Sequence, residues 1–423
     1  MNIASTLRES FSPLKIRNFR IYLGGQAVSM VGTWLQMTAQ SWVVWELSHS
    51  ATALGVTMML SSLPILLLGP WAGVWADRLD RRKLLIVTQI GAMLLAFILA
   101  LLTQTGLVQL WHVYLLSALL GIITAVDFPA QQTFLGDLSG MAEVRKAINL
   151  NITMFQLSRI FGPALAGIII ASLGAAMAFW LNGLSFVAVI ISLWLVTSNQ
   201  VRKPHGGNFL TEFKEGVSYV ATQPRLQDLI ILAILTTFFA FPVILSLLPA
   251  VVGKVLQGDA ATLSWLMMSS GAGALIGTMF LAPLTQATRR TGVVLGGIVG
   301  WTGFWLVLFS GVDWLPLSMV SLFFVSVGIP AVLTTTMGLL QVLAPPEMRA
   351  RLASLFFTLS FGMQPVASLL TGYTADTLTT PVAIRINGLL LMLGAALILS
   401  VRPALRRWEA NAAQPASVVL DLA

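Results

Sequence analysis

Gly73-Val-Trp-Ala-Asp77-Arg78-Leu-Asp80-Arg81-Arg82-Lys83 sets two acids and four bases in a short hinge between two hydrophobic runs, 52–76 and 84–104. Charges at that density are costly in hydrocarbon, so the hinge lies at a water-facing membrane edge and the flanking runs are spans. The run from Leu84 to Leu102 does not alternate polar with apolar residues, which excludes barrel strands and predicts helices.

The same pattern continues in both directions. Hydrophobic residues make up 57% of the 423 positions and charged residues 9%, too little polar surface for a soluble domain. A span takes about 20 apolar residues. The chain divides into twelve: 20–45, 52–76, 84–104, 111–136, 147–172, 176–197, 226–252, 262–284, 292–310, 315–343, 351–375 and 380–401. The fold class is therefore an all-α membrane protein. The first span is too long for a signal-peptide core and lacks a small-residue cleavage site, so it is expected to be retained.

The net charge of +8 reports topology rather than an acidic partner, and no nucleic acid is expected. With the first nineteen residues assigned inside, only Lys254, Arg385 and Arg159 of the 24 Lys and Arg fall outside the cytoplasmic segments. Both termini are then expected in the cytoplasm, and the chain is a multi-pass membrane protein. There is no cysteine, hence no disulfide or thiolate metal site. His49, His112 and His205 sit at span ends or in loops, and neither a metal nor another cofactor is expected.

Thr197 to Arg225 is the one long polar interruption and splits the spans six and six. The expected domains are 1–197, a linker 198–225, 226–402 and a cytoplasmic tail 403–423. In the linker Phe209, Phe213, Val217 and Val220 recur at helical spacing, the pattern of a short helix on the inner membrane surface. An internal repeat supports the split. Glu143-Val144-Arg145 recurs as Glu347-Met348-Arg349 after 204 residues, Asn182-Gly183 as Asn387-Gly388 and Gly167 as Gly372 after 205, and Arg81-Arg82 as Arg289-Arg290 after 208. Parallel six-helix repeats place a substrate site near the midplane, reached by alternating access.

Candidate site residues follow from polarity inside the spans. Gln26, Ser29, Thr33, Gln36 and Gln40 share one face of the first helix, and Ser117, Gly121, Thr124, Asp127 and Gln131 one face of the fourth. Amides are unfavourable against lipid, so both faces are expected to meet water or the other half. Phe241 and Gln364 are candidate contributors from the second half. Counted from the inner ends at 1.5 Å per residue, Asp127 and Arg159 lie at similar depths on neighbouring antiparallel helices and are expected to meet. An acid there is a candidate proton carrier, with Glu46 at the outer end of the first helix the second choice. No Ser/His/Asp or metal constellation occupies the spans, so the chain does not read as an enzyme.

Gly73, Asp77, Arg78, Arg81 and Arg82 match G-x-x-x-D-R-x-x-R-R, and Ser158-Arg-Ile-Phe-Gly162-Pro163-Ala-Leu-Ala-Gly167 is similar to an antiporter signature of the fifth helix. On these residues the chain resembles the major facilitator superfamily, in particular drug and siderophore exporters of the enterobactin and macrolide efflux group. That resemblance implies two six-helix bundles and a first helix lining a cavity. It implies export of an amphipathic small molecule by proton antiport, from a monomer. A lipid or lysolipid flippase of the same superfamily is the alternative. It also implies a cytoplasmic gating latch, with Asp77 near the start of the eleventh helix and Arg78 or Arg81 paired with Asp137. The sequence departs from the pattern at Ser117, where many proton-coupled relatives have Arg, and at Thr285, where the second-half latch would have an acid.

Overall fold

The computed structural model describes residues 11–197, 209–288 and 290–402, and the side chains of 70, 72–78, 141, 209–212 and 350 are outside that description. Among the described residues there is no strand. The helices are α1 (Arg17–Ser48), α2 (Ala51–Arg78), α3 (Arg81–Gln104), α4 (Leu110–Gly140), α5 (Ala142–Leu173), α6 (Ala175–Leu195) and α7 (Phe209–Ala221). They continue as α8 (Pro224–Leu256), α9 (Ala260–Ala287), α10 (Thr291–Phe309), α11 (Leu315–Leu343), α12 (Arg349–Gly362), α13 (Gln364–Thr377) and α14 (Thr380–Val401). Among the described residues eleven stretches are long and apolar enough to cross a membrane, with α12 and α13 forming one of them. The 32-residue α1 is long enough as well, but its glutamines keep it less apolar than the rest.

Two boundaries differ from the sequence reading. The charged stretch 137–146 was expected to be a loop, yet α4 and α5 meet at a one-residue corner, Gly140, with φ 73° and ψ 161°. Only glycine adopts that conformation without strain. Gly140→Ala is expected to lower stability by about 1–3 kcal/mol, seen as a fall in Tm in detergent; an unchanged Tm would show that the corner relaxes. The second difference is in α8 and α9, which contain wide π-helical turns at Val243–Leu247, Val252–Leu256 and Gly277–Leu281. Pro249 and Pro283 stand four residues after Leu245 and Met279, which lie inside the first and third of these turns. A proline ring strikes the carbonyl four residues back and removes a bond to it, and a wider turn relieves both.

The chain forms two compact units, Met1–Gly206 with Ser246–Gly271, and Gly207–Leu245 with Ala272–Ala423. In the first, the starts of α1 and α3 and the ends of α4 and α6 close over Phe19, Tyr22, Leu85, Phe134, Val189 and Leu193, all buried. Tyr22 meets Phe134 edge to face at 5.3 Å. The outer part of α8 and the first part of α9 pack into this same unit. Trp45 covers the backbone of Gly253, and the Lys254 ammonium stands 5.6 Å over its ring.

In the second unit α10 lies between α11 and α14, and Gly303 and Gly388 let two backbones touch: a methyl group on Gly388 would stand 2.8 Å from the Gly303 carbonyl. The repeat equivalent, Gly183 of α6, lies directly against the ring of Phe97. The linker helix forms over Phe209–Ala221, but Phe213, Tyr219 and Val220 pack on Leu352, Leu355 and Phe356 of α12 rather than lying free for the membrane. Arg351 pairs with Glu215 at 2.6 Å and fixes that docking.

Candidate functional site

The polar groups of the first unit gather around Asp127 of α4. Thr88 Oγ1 donates to its Oδ1 at 2.5 Å and Gln89 Nε2 at 3.1 Å, both from α3. Gln131 Nε2, one turn along α4, donates to Oδ2, and Gln26 Nε2 of α1 donates to Gln131 Oε1 at 3.0 Å. The carboxylate is thus held by three neutral donors and by no cation. The Oε1 atoms of Gln26 and Gln89 are buried without a hydrogen-bond partner. A carboxylate in such a setting takes up and loses a proton without breaking an ion pair, and unpartnered amide oxygens are acceptors for the O–H it would gain.

The expected Asp127–Arg159 pair is not formed. Arg159 Nη2 donates to Ser270 Oγ at 3.2 Å, and its guanidinium stands 5.5 Å over the Trp34 ring. Residue counting fixed the depth of the two side chains but not the direction each faces. Asp127 faces α3, and Arg159 faces Trp34 and the segment 246–271.

The glutamine row of α1 is also turned inward rather than to water. Gln26 and Gln36 are buried, and Gln36 Oε1 accepts from Asn182 Nδ2 of α6 at 2.7 Å. Half-buried Gln40 donates to Ser117 Oγ at 2.9 Å. These bonds tie α1 to α4 and α6, and they use amides that would otherwise be costly at membrane depth. Thr33 is exposed and bonds the Ser29 carbonyl of its own helix; Thr124 does the same to Leu120. Glu46 is exposed and accepts from Trp42 Nε1 at 2.7 Å.

At the inner end, Arg81 Nη1 reaches both oxygens of Asp137 at 3.0 and 2.9 Å. The two side chains are only 8% and 10% exposed, so the pair implied between Arg81 and Asp137 is a buried one. Arg82 donates to the carbonyls of Leu193 and Trp194 at 2.6 and 2.7 Å, closing the C-terminus of α6, where cations are favoured. Asp80 caps α3 by accepting from the Lys83 amide at 3.1 Å. Gly73, Asp77 and Arg78 belong to α2, but their side chains lie outside the described residues, as does Arg289. In the second unit Thr285, in place of an acid, bonds back to the Leu281 carbonyl at 2.7 Å.

The fifth-helix motif brings α1 and α5 together. A methyl group on Gly162 would strike Trp34 and lie 2.9 Å from the Val31 carbonyl, and one on Gly167 would meet Ser264 at 2.8 Å. Pro163 sits inside α5 between them. Gly162→Val is expected to push these helices apart at about 1–3 kcal/mol of overpacking, measured as a lower Tm; wild-type stability in the variant would show that the contact yields freely. Phe241 and Gln364 fall in the second unit. Phe241 meets Phe361 edge to face at 5.9 Å, and Gln364 is buried with its Nε2 unpartnered.

Thr88 and Gln89 were not singled out from the sequence, although they form the polar break in the otherwise apolar run after Leu84. Ser270 carried no signal, because its value lies in contact with a helix distant in sequence.

Strand-free and with eleven apolar spans among the described residues, with polar clusters between the helices, the structure has the architecture of a major facilitator transporter. The chain belongs to the transmembrane secretion effector family, whose model matches residues 8–420. It is 27% identical over 266 residues to the staphyloferrin A transporter of Staphylococcus aureus, 62% of this chain and 66% of that protein. It is 24% identical over 355 residues to the multidrug efflux pump Tap of Mycolicibacterium fortuitum, 82% and 86% of the two chains. Macrolide efflux protein A of Streptococcus pyogenes is 24% identical over 383 residues, 87% and 91%. Among solved structures, a bacterial homolog of the human lysosomal transporter Spinster superposes with a TM-score of 0.71 at 14% identity, covering 92% of this chain and 98% of that one. The peptide-transporter relative PepTSo superposes with a TM-score of 0.72 at 14% identity, covering 92% and 98%. At those identities the structures speak to the fold alone.

Proposed function

We propose that this protein exports an amphipathic small molecule, a drug, siderophore or secondary metabolite, across the bacterial inner membrane in exchange for protons. It works by alternating access as a monomer with both termini cytoplasmic, its halves 1–197 and 226–402 moving as the two arms. The relatives' names, a siderophore transporter and drug efflux pumps, support the substrate range. The observation that carries the proton reading is Asp127, held by Thr88, Gln89 and Gln131 with no counter-cation and with buried amide oxygens beside it left unfilled. Protonation then turns an acceptor into a donor, the amides reorient, and α1, α3 and α4 are re-tied in a second pattern. In a transporter, a membrane-depth carboxylate whose proton state resets three helices is a coupling device.

The test is uptake of Hoechst 33342 into inverted membrane vesicles energised by an imposed pH gradient. Accumulation that collapses with nigericin supports the reading. Accumulation indifferent to the gradient contradicts proton antiport, and none at all contradicts export of this substrate class.

A further inference from the structure

Arg159 sits in the middle of α5, where an uncompensated charge is expensive, yet it is not neutralised by the protein. Among the described residues no carboxylate lies within 4.0 Å of it: the acids in recorded ion pairs serve other bases, and Asp127 is bound elsewhere. One of its five N–H donors is used, by Ser270 Oγ at 3.2 Å. The side chain is half-buried, so it is neither sealed into the packing nor free in bulk water. Trp34, itself buried, stands under the guanidinium at 5.5 Å and is held by the edge of Phe155 at 5.7 Å. The backbone on the far side is fixed too: a methyl group on Gly271 would come within 2.7 Å of the Arg159 carbonyl. The result is a positioned planar cation with open donors, on an aromatic floor, lacking an anion.

We propose that Arg159, Trp34 and Ser270 form the subsite for an anionic head group, a carboxylate or a group of like charge, on the exported molecule. This rests on the reading of the protein as an exporter and deepens it: an acidic head group strengthens binding relative to the same molecule without it. The guanidinium fork matches a carboxylate in two parallel hydrogen bonds, and the indole face receives apolar parts of the ligand beside it. An arriving anion also competes with Ser270 for the guanidinium, and Ser270 belongs to the segment packed on α5, so loading loosens that contact.

The probes are 11-(dansylamino)undecanoic acid and its methyl ester, titrated by dansyl fluorescence into full-length protein in lipid nanodiscs. Wild type is expected to bind the acid about tenfold or more tightly than the ester, the scale of a charge-assisted hydrogen bond. Arg159→Gln is expected to erase that preference while leaving the ester within about twofold, and Arg159→Lys, which keeps the charge but loses the fork, to retain part of it. Equal binding of acid and ester by wild type, no binding of the acid, or equal weakening of both probes by Arg159→Gln would each overturn the proposal. The wild-type comparison needs no variant to fold. Failure of Hoechst 33342 export would instead count against the export reading and leave the acid-to-ester ratio as measured.

Discussion

Asp127→Asn is expected to abolish gradient-driven accumulation while leaving the protein folded and able to pass substrate downhill. An imposed difference of one pH unit supplies about 1.4 kcal/mol per proton exchanged, enough for about tenfold accumulation at one proton per substrate. Wild-type vesicles should approach that ratio, and the variant should stay near one. The fold should survive because the network can absorb the change. Asparagine keeps one acceptor for Thr88, and the neighbouring Gln89 amide, whose buried Oε1 is unfilled, can turn to accept from its new N–H donors. A variant that still concentrates substrate would move the coupling role away from Asp127, with Glu46 the next acid to replace.

Asp137→Ala should produce the largest loss of stability. It removes the carboxylate that the buried Arg81 guanidinium holds at 2.9–3.0 Å, and breaking a buried pair of this kind typically costs about 3–5 kcal/mol. An exposed pair would cost no more than about 1 kcal/mol. The measurement is Tm in detergent, read against the paired replacement Arg81→Met with Asp137→Leu. The single variant should unfold well below wild type and the double variant should recover much of the difference, because it replaces both buried charges with apolar side chains. If the single variant melts within a degree or so of wild type, the pair is not the inner clamp described here.

Most of the architecture was readable from the sequence because membrane physics leaves few choices. Long apolar runs must be helices. What could not be read was direction around each helix axis. Spacing put Gln26, Gln36 and Gln40 on one face, but that face meets Gln131, Asn182 and Ser117 instead of water. Depth put Asp127 beside Arg159, yet they face different neighbours. The sequence repeat assigns 246–271 to the second set of six spans, whereas its contacts lie with the first unit. Prolines and wide turns reshape α8 and α9 on both sides of this segment, and their effect on helix direction cannot be counted from residue spacing. The Gly140 corner was hidden for a related reason: charges near a membrane edge suggest a loop, but one glycine with positive φ makes the turn.

The most direct test is proton movement driven by substrate alone. Purified protein is reconstituted into liposomes with a pH-reporting dye inside, no initial pH difference and the membrane voltage clamped, and an ethidium gradient is imposed. Wild type should move protons against the ethidium flux, and Asp127→Asn should move ethidium downhill with no proton signal. Ethidium transport by wild type without any change in internal pH, or an undiminished proton signal from Asp127→Asn, would contradict the account.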